Sequence, residues 1–181
     1  ERFMERLEKA GKLSRVVEGL PSGEEIRVLR EQKLGLTRPE LAKLLAYAKI
    51  DAFDAIVASD TPDDPHFEAA LEAYFPPQVA KLKPAMLRHR LRREIVATGL
   101  ADDLVNMGGP TFVDRVRETA RADTPAIARA FEIARRVFRF EDLGARIDAL
   151  DNKAPAATQT ALHQEMGRAV TRAAIYLLRR G

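Results

Sequence analysis

The chain has 181 residues, 46% apolar and 31% charged, a balance that suits a folded globular protein and excludes a disordered one. Lys and Arg number 30 against 27 Asp and Glu, a net of +3, whereas general nucleic-acid binders carry a larger and clustered excess. Cysteine is absent, which excludes disulfides and thiolate metal sites and fits a reducing cytoplasm, and no apolar run approaches the ~20 residues of a membrane span.

Ala, Leu, Arg and Glu dominate, and these are strong helix formers. Residues 2–20 carry Met4, Leu7, Leu13, Val16, Val17 and Leu20 as a helical stripe with Gly11 inside it, stopped by Pro21. Ser22 and Glu25 form a capping box for a short helix running to about Lys33, with Gly35 placed to terminate it. Thr37 and Glu40 form a second box, with Pro39 in a first turn where its missing amide costs little. The helix beyond carries Leu41, Leu44, Leu45, Ala48, Ala52 and Ile56 on one face, and its alanines (Ala42, Ala46, Ala48, Ala52, Ala55) admit close neighbours.

Residues 59–65, with two prolines and three aspartates, read as a loop and a candidate subdomain hinge. A short helix then directs Phe67, Leu71, Tyr74 and Phe75 inward and breaks at Pro76-Pro77. Pro84 opens a longer helix with Leu87, Leu91, Ile95 or Val96, Leu100 and Leu104, ended by Gly108-Gly109-Pro110. Phe112, Val113 and Val116 are core candidates of the next helix, which reaches about Ala120. Thr124-Pro125 starts a helix whose apolar face is Ile127, Ala130, Phe131, Ala134, Val137 and Phe138, with Arg129, Arg135, Arg136 and Arg139 on the wet side. Leu143, Ile147 and Leu150 mark a short helix. The last starts near Pro155 and carries Leu162, Met166, Ala169, Val170, Ala173, Tyr176 and Leu177, with Arg179 and Arg180 suited to its negative end. No period-2 strand or fixed-period repeat is found. The pattern predicts an all-α, irregular multi-helix bundle of eight to nine helices forming one domain over residues 1–181, without a sheet.

The residues offer little chemistry. A nicotinamide-binding fold needs strands alternating with helices and a Gly-x-Gly-x-x-Gly turn. Gly108-Gly109 follows no strand and precedes a proline, so it reads as a helix break. His66, His89 and His163 are far apart and each lacks a second ligand at helical spacing, so they read as surface or capping residues. Asp60, Asp63 and Asp64 lack the alternating ligands, central glycine and closing glutamate of a calcium loop. Asp102 and Asp103 could do acid–base work if burial separated their pKa values, but adjacent helix residues point about 100° apart. Arg88, His89, Arg90, Arg92 and Arg93, preceded by Lys81 and Lys83, are the strongest charge feature. On a helix Arg88 and Arg92 share one face, yet Leu87 and Leu91 interrupt the run, which reads as a solvated or interface-facing side more than a phosphate-binding one. No catalytic, cofactor-binding or metal-binding residue is assigned, and the alternative function is an independent module binding nucleic acid or protein through this basic helix.

Several blocks taken together resemble one family. They are Gly35-Leu36-Thr37-Arg38-Pro39-Glu40-Leu41-Ala42 with Ala46-Tyr47-Ala48-Lys49-Ile50, then Tyr74-Phe75-Pro76, His89-Arg90-Leu91-Arg92-Arg93-Glu94-Ile95, and Val105-Asn106-Met107-Gly108-Gly109-Pro110-Thr111-Phe112-Val113. Arg129-Ala130-Phe131 and Ile147-Asp148-Ala149-Leu150-Asp151 add to them. Their order resembles the C-terminal region of the large bacterial NAD-specific glutamate dehydrogenases. Asp102 stands where that family tends to have asparagine, and Tyr176 where tryptophan is expected. The resemblance implies a parent enzyme that deaminates L-glutamate with NAD, with its catalytic lysine and NAD site in an upstream domain of the same chain. This segment is then expected to be an inactive structural, assembly or regulatory piece of a cytoplasmic homo-oligomer, without membrane contact. A first residue Glu1 fits a piece of a longer protein.

Overall fold

A computed structural model describes residues 1–180, Ala80 by its backbone alone. These residues form eleven α-helices and no strand. In chain order they are α1 (Arg2–Lys9), α2 (Arg15–Glu18), α3 (Gly23–Glu31), α4 (Arg38–Val57), α5 (Glu68–Tyr74), α6 (Lys83–Leu87), α7 (Arg92–Gly108), α8 (Phe112–Ala120), α9 (Thr124–Val137), α10 (Phe140–Asp148) and α11 (Ala156–Arg180). Short 3-10 turns at Thr61–Asp63, Pro65–Phe67 and Pro77–Leu82 join some of them. The all-α expectation holds, and nine of the helices have seven or more residues.

Both expected capping boxes form. The Ser22 hydroxyl accepts from the Glu25 amide at 3.2 Å while the Glu25 carboxylate accepts from the Ser22 amide at 2.8 Å. Thr37 and Glu40 repeat the exchange at 3.5 and 2.6 Å. Each box satisfies amides that have no partner inside the helix, using only residues within four positions of one another.

The helices enclose two apolar clusters. The larger joins Ile56 of α4, Leu71 of α5, Leu100 and Leu104 of α7, Phe112 and Val116 of α8, Ile127 and Phe131 of α9, and Val170 and Ala174 of α11. The smaller joins Phe3, Met4 and Leu7 of α1 with Leu13, Leu20, Leu44, Ala48 and Val105. Helix α7 contributes to both, and it packs on α4, α5, α8, α9 and α11. Ala97 and Ala101 are fully buried on it, which allows its neighbours to approach closely. On α4 the stripe Leu44, Ala48, Ala52 and Ile56 is buried as expected, whereas Leu41, Ala42 and Ala46 face solvent.

Several local expectations are corrected. Residues 2–20 are two helices: Gly11 takes φ +68°, and the Lys12 amide returns to the Leu7 carbonyl at 2.9 Å, a helix-ending motif that a left-handed glycine permits. Val16 and Val17 are exposed rather than core. Lys33, at φ +55°, closes α3 in place of Gly35, with the Leu34 amide on the Leu29 carbonyl at 2.8 Å. Helix α9, by contrast, does begin at Thr124 as expected, capped by Asp123, whose carboxylate accepts from the Ala126 amide at 2.9 Å. Tyr74, Val137, Phe138, Leu162 and Tyr176 are exposed, because each lies at or beyond the end of the buried part of its stripe.

The largest correction concerns the helix expected from Pro84 onward. It is broken between α6 and α7. The Arg88 and His89 amides close tight turns on Ala85 and Met86 at 3.2 and 3.0 Å, and His89 Nδ1 accepts from the Leu91 amide at 3.2 Å. Leu91 is consequently 55% exposed. Arg88 and Arg92 therefore share no helical face.

Candidate functional site

Residues 59–65 form an ordered turn in which Thr61 and Pro62 are buried. Its aspartates are bound to arginines from distant elements: Asp60 to Arg129 at 2.7 Å, and Asp63 to Arg92 and Arg93. Asp64 accepts from the His66 amide at 2.9 Å. Arg93 also donates to the carbonyls of Val57 and Ser59 at 2.9 and 2.7 Å, satisfying acceptors that the end of α4 leaves open. Lys83 is held by Glu68 and Glu72. The basic run is thus largely an internal fastening: Lys83, Arg92 and Arg93 are engaged with carboxylates, while Arg88 and Arg90 sit exposed in the break between helices.

The histidines do not converge. His66 lies edge-on to Phe67, His89 edge-on to Phe75, and His163 meets Asp148 at 3.0 Å. Among the described residues no three metal-ligating side chains gather. Gly108 ends α7 because only glycine fits there: an added Cβ falls 2.3 Å from the Phe112 ring. The Gly109 amide is occupied by the Val105 carbonyl at 2.8 Å. This corner does not fit a dinucleotide cradle, which needs open amides at a strand-to-helix turn.

Asp102 and Asp103 both line a groove of about 820 Å³, whose walls include Tyr74, Thr98, Arg135 and Glu141. Asp102 pairs with Lys49 of α4 at 2.9 Å. Asp103 meets Arg135 at 3.3 Å. Arg135 in turn grips Glu132 with two nitrogens, at 2.8 and 3.1 Å, and also pairs with Glu141. Arg136 reaches the same Glu132 at 2.6 Å. Glu132 is 1% exposed, a fully buried carboxylate between two guanidiniums. Burial pushes the Asp103 carboxyl up from its ordinary value; Arg135 opposes this, and the neighbouring Glu132, Glu141 and Asp102 add to it. Glu132 goes the other way, since its two arginines outweigh the burial that would raise it. The arrangement can hold a proton at Asp103 more readily than at an ordinary aspartate, and it locks α7 to α9 and α10.

The arginines Arg135 and Arg136 were expected on the wet side of α9, and Arg135 is instead mostly buried, with 15% of its side chain exposed. Glu132 was not singled out from the sequence. Its signal is the spacing of three and four residues to Arg135 and Arg136 on one helix.

A family profile described as glutamate dehydrogenase, C-terminal, matches residues 33–181. The chain is 41% identical over 179 residues to the NAD-specific glutamate dehydrogenase of Halomonas elongata, covering 98% of this chain and 11% of that protein. It is 42% identical over 180 residues to the protein of the same description from Pseudomonas aeruginosa, with 99% and 11% covered. A Mycobacterium tuberculosis protein of that description is 34% identical over 167 residues, with 92% and 10% covered. The chain spans about a tenth of the length of these curated relatives. With most of its length matched by that profile, the chain belongs to the glutamate dehydrogenase C-terminal family.

Proposed function

We propose that this chain is the helical C-terminal region of a cytoplasmic NAD-dependent glutamate dehydrogenase, which converts L-glutamate and NAD to 2-oxoglutarate, ammonium and NADH. It forms no bond in that reaction. The carrying observation is the match to NAD-specific glutamate dehydrogenases along nearly the whole chain at 41% and 42% identity. The residues themselves agree with a supporting role. Helix packs on helix throughout, and most charges of the α7–α9 groove are neutralised by each other. NAD is held upstream in the same polypeptide, and the segment packs against that catalytic part within a homo-oligomer, as one domain over residues 1–181. Its own work is assembly or regulation.

The test compares the full-length protein with this segment alone. Glutamate-dependent NADH formation, followed by absorbance, is expected from the full-length protein and absent from the segment. Turnover by the segment alone refutes the division of labour, and a full-length protein inactive with L-glutamate and NAD refutes the parent activity.

A further inference from the structure

A second groove, of about 590 Å³, runs between the α7–α8 corner and α11. Helix α11 turns one face into it: Thr160, Gln164, Gly167, Arg168 and Thr171 follow at spacings of three, four and one, the rows of a single helical side. Gly167 keeps that approach close, since an added Cβ would sit 3.2 Å from the Met107 carbonyl oxygen. Opposite stands Arg115, its guanidinium steadied by a 3.2 Å hydrogen bond to the Gly108 carbonyl.

The groove's own lining is cationic, with two carboxylates at its rim, Asp148 on the lining His163 and Glu165 on Arg168. Arg115, Arg168 and Arg172 line it, and among the described residues no carboxylate does. Arg168 pairs with Glu165, which lies outside the lining at 2.5 Å. Arg115 and Arg172 make no ion pair among the described residues, although Arg172 stands close enough to Glu165 to help hold its carboxyl below the ordinary value. By contrast the α7–α9 groove sets Asp102, Asp103 and Glu141 against its two arginines. Asn106, Thr160 and Gln164 add neutral donors at the same wall, and their side chains make no hydrogen bond to the described part of the chain. Planar guanidiniums with amide and hydroxyl donors around an open groove recognise phosphate oxygens, and the positive charge of the three arginines in excess of Glu165 matches a multiply charged anion better than a neutral ligand.

The geometry points to this groove as a binding site for a small polyphosphate anion, such as the phosphate chain of a nucleoside triphosphate. It gives the segment a place to receive a regulatory ligand remote from bond-making chemistry. The groove's anion chemistry is independent of the reaction the parent enzyme performs.

Calorimetric titration of the full-length protein with tripolyphosphate tests it, at 0.15 M salt, where exposed charges more than about 8 Å apart are largely screened, and with any dinucleotide site saturated by NADH. One equivalent per chain is expected to lose at least tenfold in Kd in Arg115→Gln/Arg172→Gln. The charge-matched control Arg88→Gln/Arg90→Gln is expected to bind like the unaltered protein. Gln164→Glu removes no arginine and places a carboxylate in the groove, so it is expected to reproduce the loss even if the double variant misfolds. ATP tighter than tripolyphosphate identifies a nucleotide as the occupant, and equal binding identifies the phosphate chain as what is read. No binding by the unaltered protein, equal weakening by the control, or undiminished binding by Gln164→Glu overturns the site.

Discussion

Replacing Glu132 by glutamine tests the charge network that joins α7, α9 and α10. Glutamine keeps the shape of the side chain but removes the charge facing Arg135 and Arg136. Breaking a buried ion pair by removing one partner costs about 3–5 kcal/mol. Two features lower that figure here. Arg135 keeps Asp103 and Glu141, and Arg136 is 38% exposed and can be hydrated. The expected loss is about 2–3 kcal/mol, or roughly 4–12 °C in Tm for a chain of this size. The pH dependence is more diagnostic. The folded-state pKa of Glu132 is depressed, so its contribution is present above the unfolded glutamate value of about 4.3 and is lost as pH falls through the folded value. Urea unfolding at pH 7 and in acid, for the natural sequence and Glu132→Gln, measures this. The stability gap is expected to be full at pH 7 and to close below about pH 4. A gap under about 0.5 kcal/mol at pH 7, or one that persists in acid, refutes the reasoning.

Asp103→Asn is expected to show the opposite slope. The folded Asp103 pKa is raised, chiefly by burial, so its contribution is present below about 3.9 and is lost as pH rises through the folded value. The variant therefore gains on the natural sequence as pH rises, measured by the same unfolding series. Gly108→Ala is expected to cost about 1–3 kcal/mol, because the new methyl meets the ring of a fully buried Phe112, and differential scanning calorimetry reads the loss. Phe131→Ala is expected to cost about 3–5 kcal/mol in equilibrium unfolding, since this buried ring stacks edge-on to Phe112 at 5.6 Å. Asp51→Asn is expected to loosen α1, because Asp51 holds Arg6 at 2.8 Å and Lys12 at 3.2 Å; amide exchange at Leu7 should quicken while Leu104 stays protected.

The parts of the fold that local chemistry decides were readable in the sequence. Ser22 and Thr37 begin helices because their hydroxyls and the glutamates three residues on satisfy the same few amides, and nothing distant is needed. The break between α6 and α7 was not readable for the opposite reason. Leu87, Leu91 and Ile95 repeat every four residues, without a glycine or proline between them, and so imitate an unbroken stripe. The helix begins afresh at Arg92 in a setting where Arg92 and Arg93 reach Asp63 and Arg93 reaches the carbonyls of Val57 and Ser59 at the end of α4, 36 and 34 residues earlier in the chain. That attraction exists only once the two ends are close in space.

Charge placement was hidden for a related reason. The totals of 30 cations and 27 anions suggest near-neutrality everywhere, and they say nothing of which charges meet. Pairs such as Arg129 with Asp60, 69 residues apart, and Arg2 with Glu118, 116 apart, consume carboxylates far from the arginines they neutralise. A cation that receives no such partner is left over locally even when the chain as a whole is balanced. Arg115 is left over in this way and Arg172 has only a share of Glu165 with Arg168, and they belong to different helices that the fold brings to one groove. The basic residues around Arg90 are contiguous in sequence, yet much of their charge is answered by Asp63, Glu68 and Glu72. Surplus charge in this chain follows the folded arrangement of its acids more than the sequence clustering of its bases.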